Sequence, residues 1–202
     1  MANPNPPGRT HPSTASTRPT LIRLVGIILI AIIILVGLIA LITWLVLRPK
    51  HLVYSIESGS IKGYNLSETN HLNSTFTFVI RAYNPNKKVS IYYDKVETWV
   101  SYEDQKLAFN TLAPFFQAHK NETLLGMNLV AQQVVLPGDV AKDLKRERTS
   151  GAVELDVRMK ARIRYKVGVW KRHRTLKVRC SPVLVRFSSV KNFLKKRCHV
   201  DY

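Results

Sequence analysis

From Leu24 to Leu47 the chain runs 24 consecutive positions without a charge, most of them Ile, Leu or Val. A helix of that length rises roughly 36 Å, enough to cross a hydrocarbon core of about 30 Å with some tilt. Arg23 bounds the run on one side, and Arg48 and Lys50 on the other. Trp44 sits near the second boundary, where an interfacial aromatic is expected, and Pro49 stops the helix. A cleaved signal peptide would carry a shorter apolar run and a small-residue cleavage site, whereas this run ends in Leu45-Val46-Leu47-Arg48. A buried core helix would show a polar face, and this segment is apolar all round. The expected layout is a disordered cytosolic tail over residues 1–20, a transmembrane helix over 21–47, a juxtamembrane segment over 48–62 and a soluble domain over 63–202. Gly26 and Gly37 lie eleven apart, so no GxxxG face supports a homo-oligomer through the helix.

The flanking charges do not orient the helix. Arg9, Arg18 and Arg23 on one side balance Arg48, Lys50 and Lys62 on the other. Three glycosylation sequons break the tie, at Asn65, Asn73 and Asn121, all after the helix. Cys180 and Cys198 lie on the same side, 18 residues apart, which permits a disulfide in an oxidising compartment; two unrelated buried thiols are the alternative. The first 20 residues are rich in Pro, Ser and Thr and hold no acid, a composition that builds no core. The tail is therefore expected in the cytosol and the long C-terminal part outside the cell.

Beyond residue 51 the pattern alternates. Thr75–Tyr83, Val89–Tyr102 and Leu124–Leu136 are rich in β-branched and aromatic residues. Asn84-Pro85-Asn86 separates the first two as a turn. Pro137 to Leu144 predicts a short helix with Asp139 as a candidate cap, ending before Gly151. From Val157 to Val167 the odd positions are Val, Met, Ala, Ile, Tyr and Val, while Arg158, Lys160, Arg162, Arg164 and Lys166 hold the even ones. Side chains alternate across a strand, so all five cations share one face. Thr175 to Cys180 repeats the sorting, with Lys177 and Arg179 outward, and Gly168 to Arg174 is the expected turn region between the two. Short strands with turns between them predict a mainly β chain, an antiparallel sandwich with one short helix.

The formal charge of +18 is concentrated at the C-terminal end. Residues 48–157 hold 13 Lys and Arg against 12 Asp and Glu; residues 158–202 hold 15 against Asp201 alone. Such a basic surface either keeps a tethered domain solvated or binds a polyanion: an anionic lipid, an acidic cell-wall polysaccharide or an acidic protein partner. Nucleic acid is not expected on the outer side of a membrane. No G-x-S-x-G, H-E-x-x-H, Walker-type or dinucleotide glycine pattern occurs, and the six histidines lack metal-ligand spacing. Glu103-Asp104 and the pair Glu154 and Asp156 read as ordinary solvated charges. No catalytic residue, metal or cofactor is expected.

Three stretches, in this order after a membrane helix, resemble one plant family. They are Arg81-Ala82-Tyr83-Asn84-Pro85-Asn86-Lys87-Lys88 running to Asp94, Pro114-Phe115-Phe116-Gln117-Ala118-His119-Lys120-Asn121, and Ala161 to Gly168 continuing through Trp170-Lys171 to Leu176–Cys180. The chain is similar to the harpin-induced and non-race-specific disease-resistance-like family, which carries a late embryogenesis abundant group 2 domain. The paired late cysteines are also similar to that family's arrangement. The resemblance implies a sandwich related to fibronectin type III, a plasma-membrane address, and a non-catalytic role in defence or stress. It leaves a lipid-handling or membrane-protective domain as the alternative role. Ala118 departs from the Gly expected there, which puts a tight local conformation at that position in doubt.

Overall fold

The computed structural model describes residues 18–47, 50–167, 170–187 and 193–202. The tail as far as residue 17, the flanking Arg48 and Pro49, and Gly168 lie outside them. The chain divides into two compact units, one through Arg48 and the other from Pro49 to Tyr202.

The first unit is a single helix, α1 (Arg18–Leu47). Leu21–Ile42, 22 residues of it, are apolar enough and long enough to cross a membrane, and none of this window is buried. At 1.5 Å per residue the window covers roughly 33 Å. In water these exposed Ile, Leu and Val side chains would cost on the order of 25 cal/mol per Å². Their natural surroundings are therefore lipid.

Among its described residues the second unit has ten strands and one helix. In chain order they are β1 (Val53–Leu66), β2 (His71–Tyr83), β3 (Ser90–Tyr102), β4 (Gln105–Leu112), β5 (Phe115–Gln117), β6 (Glu122–Val135), α2 (Gly138–Ser150), β7 (Ala152–Val167), β8 (Trp170–Arg186), β9 (Lys196–Arg197) and β10 (His199–Asp201). Four strands form one sheet in the order β6-β2-β1-β9. The other follows β10-β8-β7-β3-β4, with β5 also on β3. Every described pairing is antiparallel. The mainly β, antiparallel architecture expected of the alternating half is the one present.

The two sheets face each other over one core. Along β2 inward and outward residues alternate without a break, burying Leu72, Ser74, Phe76, Phe78, Ile80 and Ala82. Val157, Met159, Ala161 and Ile163 do the same on β7, and Leu176, Val178 and Cys180 on β8. Tyr54, Tyr93, Phe78, Met127, Leu129 and Met159 are among the largest fully buried side chains, and they fill the space between the sheets. Each such side chain contributes about 1.5–3 kcal/mol of burial free energy.

Several boundaries differ from those expected. Residues 48–62, expected as a juxtamembrane connector, supply most of β1, and Tyr54, Ile56 and Ile61 enter the core. Register shifts at Ile56/Ser58 and Lys62/Asn65 break the alternation that would have marked the strand. α2 ends where expected, with Gly151 left-handed at φ 87° and its N–H capping Glu147 and Arg148 carbonyls. It begins at Pro137 with no side-chain cap, so Asp139 lies in the first turn, where a negative charge favours the helix dipole. The β7–β8 hairpin is also tighter than expected. Val167 pairs with Trp170, so Lys171, Arg172 and Arg174 sit on strand β8 and not in a turn.

Candidate functional site

The cations of β7 and β8 are set beside one another by the register of these two strands. Register places Arg158 opposite Arg179, Lys160 opposite Lys177, and Lys166 opposite Lys171. Directly opposed residues on one face approach within about 4.5–5.5 Å at Cβ. Seven cations of the β7–β8 ribbon, Arg158, Lys160, Arg162, Arg164, Lys166, Lys177 and Arg179, therefore share one outer surface of the larger sheet.

Two of the seven are neutralised by acids, Arg164 by one from β3 and Arg158 by one from the β3–β4 turn and one from its own strand. Arg164 takes Asp94 of β3 bidentately, Nε to Oδ2 at 2.7 Å and Nη2 to Oδ1 at 2.6 Å, while its guanidinium lies 5.4 Å from the Tyr92 ring centroid. Arg158 Nη2 donates to both Asp104 and Asp156 at 3.0 Å. Hydrogen bonding to these carboxylates holds both guanidiniums above their ordinary range. Asp104 and Asp156, read from the sequence as solvated charges, are the partners. The turn that presents Asp104 has positive φ at both Glu103 and Asp104, as a two-residue hairpin requires. Lys160, Arg162, Lys166, Lys177 and Arg179 make no ion pair among the described residues. Glu97 faces Lys160 across the β3–β7 register, but Lys95 already holds it at 2.6 Å and keeps it below its usual range. The surface that results is a strip of unpaired charge edged by two satisfied pairs.

Next to this strip lies an aromatic edge that sequence reasoning missed. Tyr92 tilts against the half-exposed Phe116 at 4.6 Å, and Lys106 Nζ stands 5.4 Å from the Trp99 ring and 5.8 Å from that of Phe109. The signal was their parity with the cations once β3 and β7 are in register, where Trp99 opposes Arg158 and Tyr92 opposes Arg164.

Asn84-Pro85-Asn86 does more than turn the chain. Asn84 is fully buried; its Nδ2 donates to Val89 O at 2.8 Å and Ala118 O at 3.0 Å, and its Oδ1 accepts from Asn86 N and Nδ2. Asn86 holds the backbone of Lys50 from both sides, accepting from its N–H at 2.7 Å and donating to its carbonyl at 3.0 Å. Lys120 N in turn donates to Asn86 O. Ala118 keeps an ordinary φ; the left-handed residue of that loop is Lys120, at φ 50°.

Cys180 and Cys198 are bonded, with Cα atoms 4.3 Å apart, joining β8 to the link between β9 and β10. Of the sequon residues, Asn65 and Asn121 are exposed, while Asn73 is half-buried and accepts from Gln133 N at 2.9 Å. Asn65 and Asn73 are register partners across the β1–β2 hairpin. On the outer face of the smaller sheet lies an open cavity of about 810 Å³. Its walls include the ion pairs Arg81–Glu122 at 2.6 Å and Lys195–Glu57 at 2.5 Å. No three His, Cys, Asp or Glu side chains gather as a metal-binding group among the described residues.

Comparison with known proteins gives a consistent answer. Residues 79–181 match the late embryogenesis abundant protein family LEA_2. An uncharacterized protein of Arabidopsis thaliana is 38% identical over 151 residues, covering 74% of this chain and 68% of that protein. NDR1/HIN1-like protein 3 of the same plant is 34% identical over 170 residues, covering 80% and 73%. NDR1/HIN1-like protein 10 is 32% identical over 130 residues, covering 63% and 57%.

Proposed function

The chain belongs to the late embryogenesis abundant LEA_2 family, with NDR1/HIN1-like relatives of the plant stress and defence type, and from that premise we propose a non-catalytic adaptor at the plasma membrane. In this reading α1 crosses the bilayer once, the N-terminal tail is cytosolic, and the sandwich outside presents the β7–β8 strip to a polyanion. One observation carries it: Lys160, Arg162, Lys177 and Arg179 project together and none makes an ion pair among the described residues, even with Glu97 facing Lys160 and Asp201 facing Lys177 across the register. Along β7 the cations recur every second residue, a repeat of roughly 6.6–6.8 Å. A polymer bearing carboxylates at regular intervals, such as an acidic cell-wall polysaccharide, meets such a row with several contacts at once. Its avidity then grows with polymer length.

The test is a triple charge reversal at Lys160, Arg162 and Lys177 in the full chain, with folding checked by circular dichroism and thermal melting. Binding to polygalacturonate is expected to fall at least tenfold, and wild-type binding to weaken steeply with salt. Wild-type and reversed proteins binding equally well would remove the basic strip from the proposal. A preference for anionic vesicles over the polysaccharide would reassign its partner.

A further inference from the structure

A second cationic site lies apart from the strip, at the end of the sandwich where the soluble unit begins. Lys50, His51, Tyr165, Arg174 and Tyr202 line a pocket of about 190 Å³. The residues come from the start of the unit, the end of β7, the start of β8 and the C-terminus, four places far apart in sequence. No Asp or Glu side chain lines the pocket, and none of Lys50, His51 and Arg174 makes an ion pair among the described residues. The two phenols are held in place. Tyr202 Oη accepts from Leu52 N at 2.8 Å, and its ring lies 5.6 Å from that of His51 and 6.4 Å from that of Tyr165.

Counting protons identifies a donor. The Tyr202 hydroxyl, whose oxygen accepts from Leu52 N, carries one proton of its own. Leu52 N–H is itself a donor, so it takes none. One O–H is therefore left for an acceptor from outside, beside a guanidinium and an ammonium. Lys50 is also positioned and not merely present, since Asn86 grips its backbone N–H and C=O. Such a set of donors around a cavity of this size suits one tetrahedral oxyanion, as in a phosphate ester.

The covalent chain says which phosphate is close by. Two residues separate Leu47, the last residue of α1, from Lys50, and the three chain steps between them span at most about 11 Å. If α1 spans a bilayer, Lys50 follows the membrane-crossing helix within short reach of the headgroups, where phosphate is at its most concentrated. We propose that this pocket binds the phosphate headgroup of an anionic lipid in the membrane that α1 crosses. The inference rests on the anchored reading of α1 but not on the polyanion strip of β7 and β8.

The experiment titrates detergent-solubilised full chain with short-chain phosphatidic acid and with inorganic phosphate, following intrinsic fluorescence or native mass spectra. Wild type is expected to bind the lipid well above its affinity for inorganic phosphate. Arg174→Gln, an exposed change, should weaken the lipid roughly tenfold, the loss typical of one charge-assisted bond. Tyr202→Phe, which keeps the ring, should weaken it a few-fold. The reversal at Lys160, Arg162 and Lys177 should leave it unchanged, which separates this site from the strip. Melting temperatures confirm that each variant folds. Equal lipid affinity in Arg174→Gln and wild type would overturn the proposal, as would equal affinity for inorganic phosphate, which marks a free-anion site, or loss of lipid binding only in the strip variant.

Discussion

Removing the Asn84 carboxamide would strand four hydrogen bonds at once. Val89 O and Ala118 O lose a donor, and the Asn86 N–H and side-chain amide lose their acceptor, all in or beside a position with no solvent exposure. Each stranded buried group costs about 1–3 kcal/mol. Asn84→Ala is therefore expected to cost at least about 3 kcal/mol, measured by chemical denaturation, and to loosen Lys50 through Asn86. A loss below about 1 kcal/mol would reduce the motif to an ordinary turn. That motif was visible in the sequence as a turn, because Pro and Asn announce one locally. Its grip on Lys50 was not, because the partners stand 36 residues apart and nothing local marks them. Buried phenols make the second residue-scale case. Tyr54 and Tyr93 share a hydrogen bond at 2.5 Å between the sheets, and Tyr93 donates on to Gln117 Oε1 at 3.2 Å. Burial pushes both above the ordinary phenol range, and it does the same to Tyr64, Tyr102, Tyr165 and Tyr202. The unfolded chain ionises them near pH 10 while the folded chain keeps them neutral. Stability from this source is complete below pH 10 and is lost as pH rises from there toward the folded values, by about 1.4 kcal/mol per pH unit for each of the fully buried Tyr54 and Tyr93. Denaturant titrations at pH 8, 10 and 11 should show this slope, and the double change of Tyr54 and Tyr93 to Phe should flatten it.

At the scale of strands, the β7–β8 ribbon places binding charge against its own stability. Arg158 faces Arg179 and Lys160 faces Lys177, and each opposed like pair is destabilising by a few tenths to about 1 kcal/mol. Arg179→Glu would meet Arg158 on one side and His199 on the other, since His199 of β10 is its other register partner. The variant is expected to gain about 0.5 kcal/mol at low salt, to lose that gain in 1 M salt, and to bind polygalacturonate less well. A variant that is no more stable at low salt would show that the strip carries no repulsive strain. This ribbon was the most legible element of the sequence, because a period of two sorts cations from apolar residues without any knowledge of pairing. Its neutralised ends were not legible, because Asp94 and Asp104 lie 70 and 54 residues from their arginines. β1 escaped for a different reason: Ser58-Gly59-Ser60 and two register shifts interrupt its pattern. β9 and β10, two and three residues long, are too short to show a period at all.

For the whole molecule, the last residues join what the earlier strands leave as two sheets. β9 pairs with β1 in the smaller sheet, β10 with β8 in the larger, and between them Cys198 donates its N–H to Tyr54 O and bonds to Cys180. So few strand residues hold weakly by themselves, and the disulfide carries the clasp. Closing a loop of 18 residues restricts the unfolded chain by about 3 kcal/mol in the chain-entropy account. Changing Cys180 and Cys198 together to Ser should lower stability by that order and loosen the C-terminal segment in hydrogen exchange. Because Tyr202 follows β10 directly, the same change should weaken the headgroup pocket while leaving the β7–β8 strip intact. The bond also reports the compartment. A sandwich outside the cell keeps it oxidised, whereas glutathione would reduce it in the cytosol. Protein extracted from plant membranes under alkylating, non-reducing conditions is therefore expected to show no free thiol and, from the same sample, a mobility shift on endoglycosidase treatment that Asn121→Gln reduces. Two titratable thiols together with no shift would place the sandwich on the cytosolic side. The polysaccharide reading would then fall, while the phosphate pocket, now facing the more anionic leaflet, would stand.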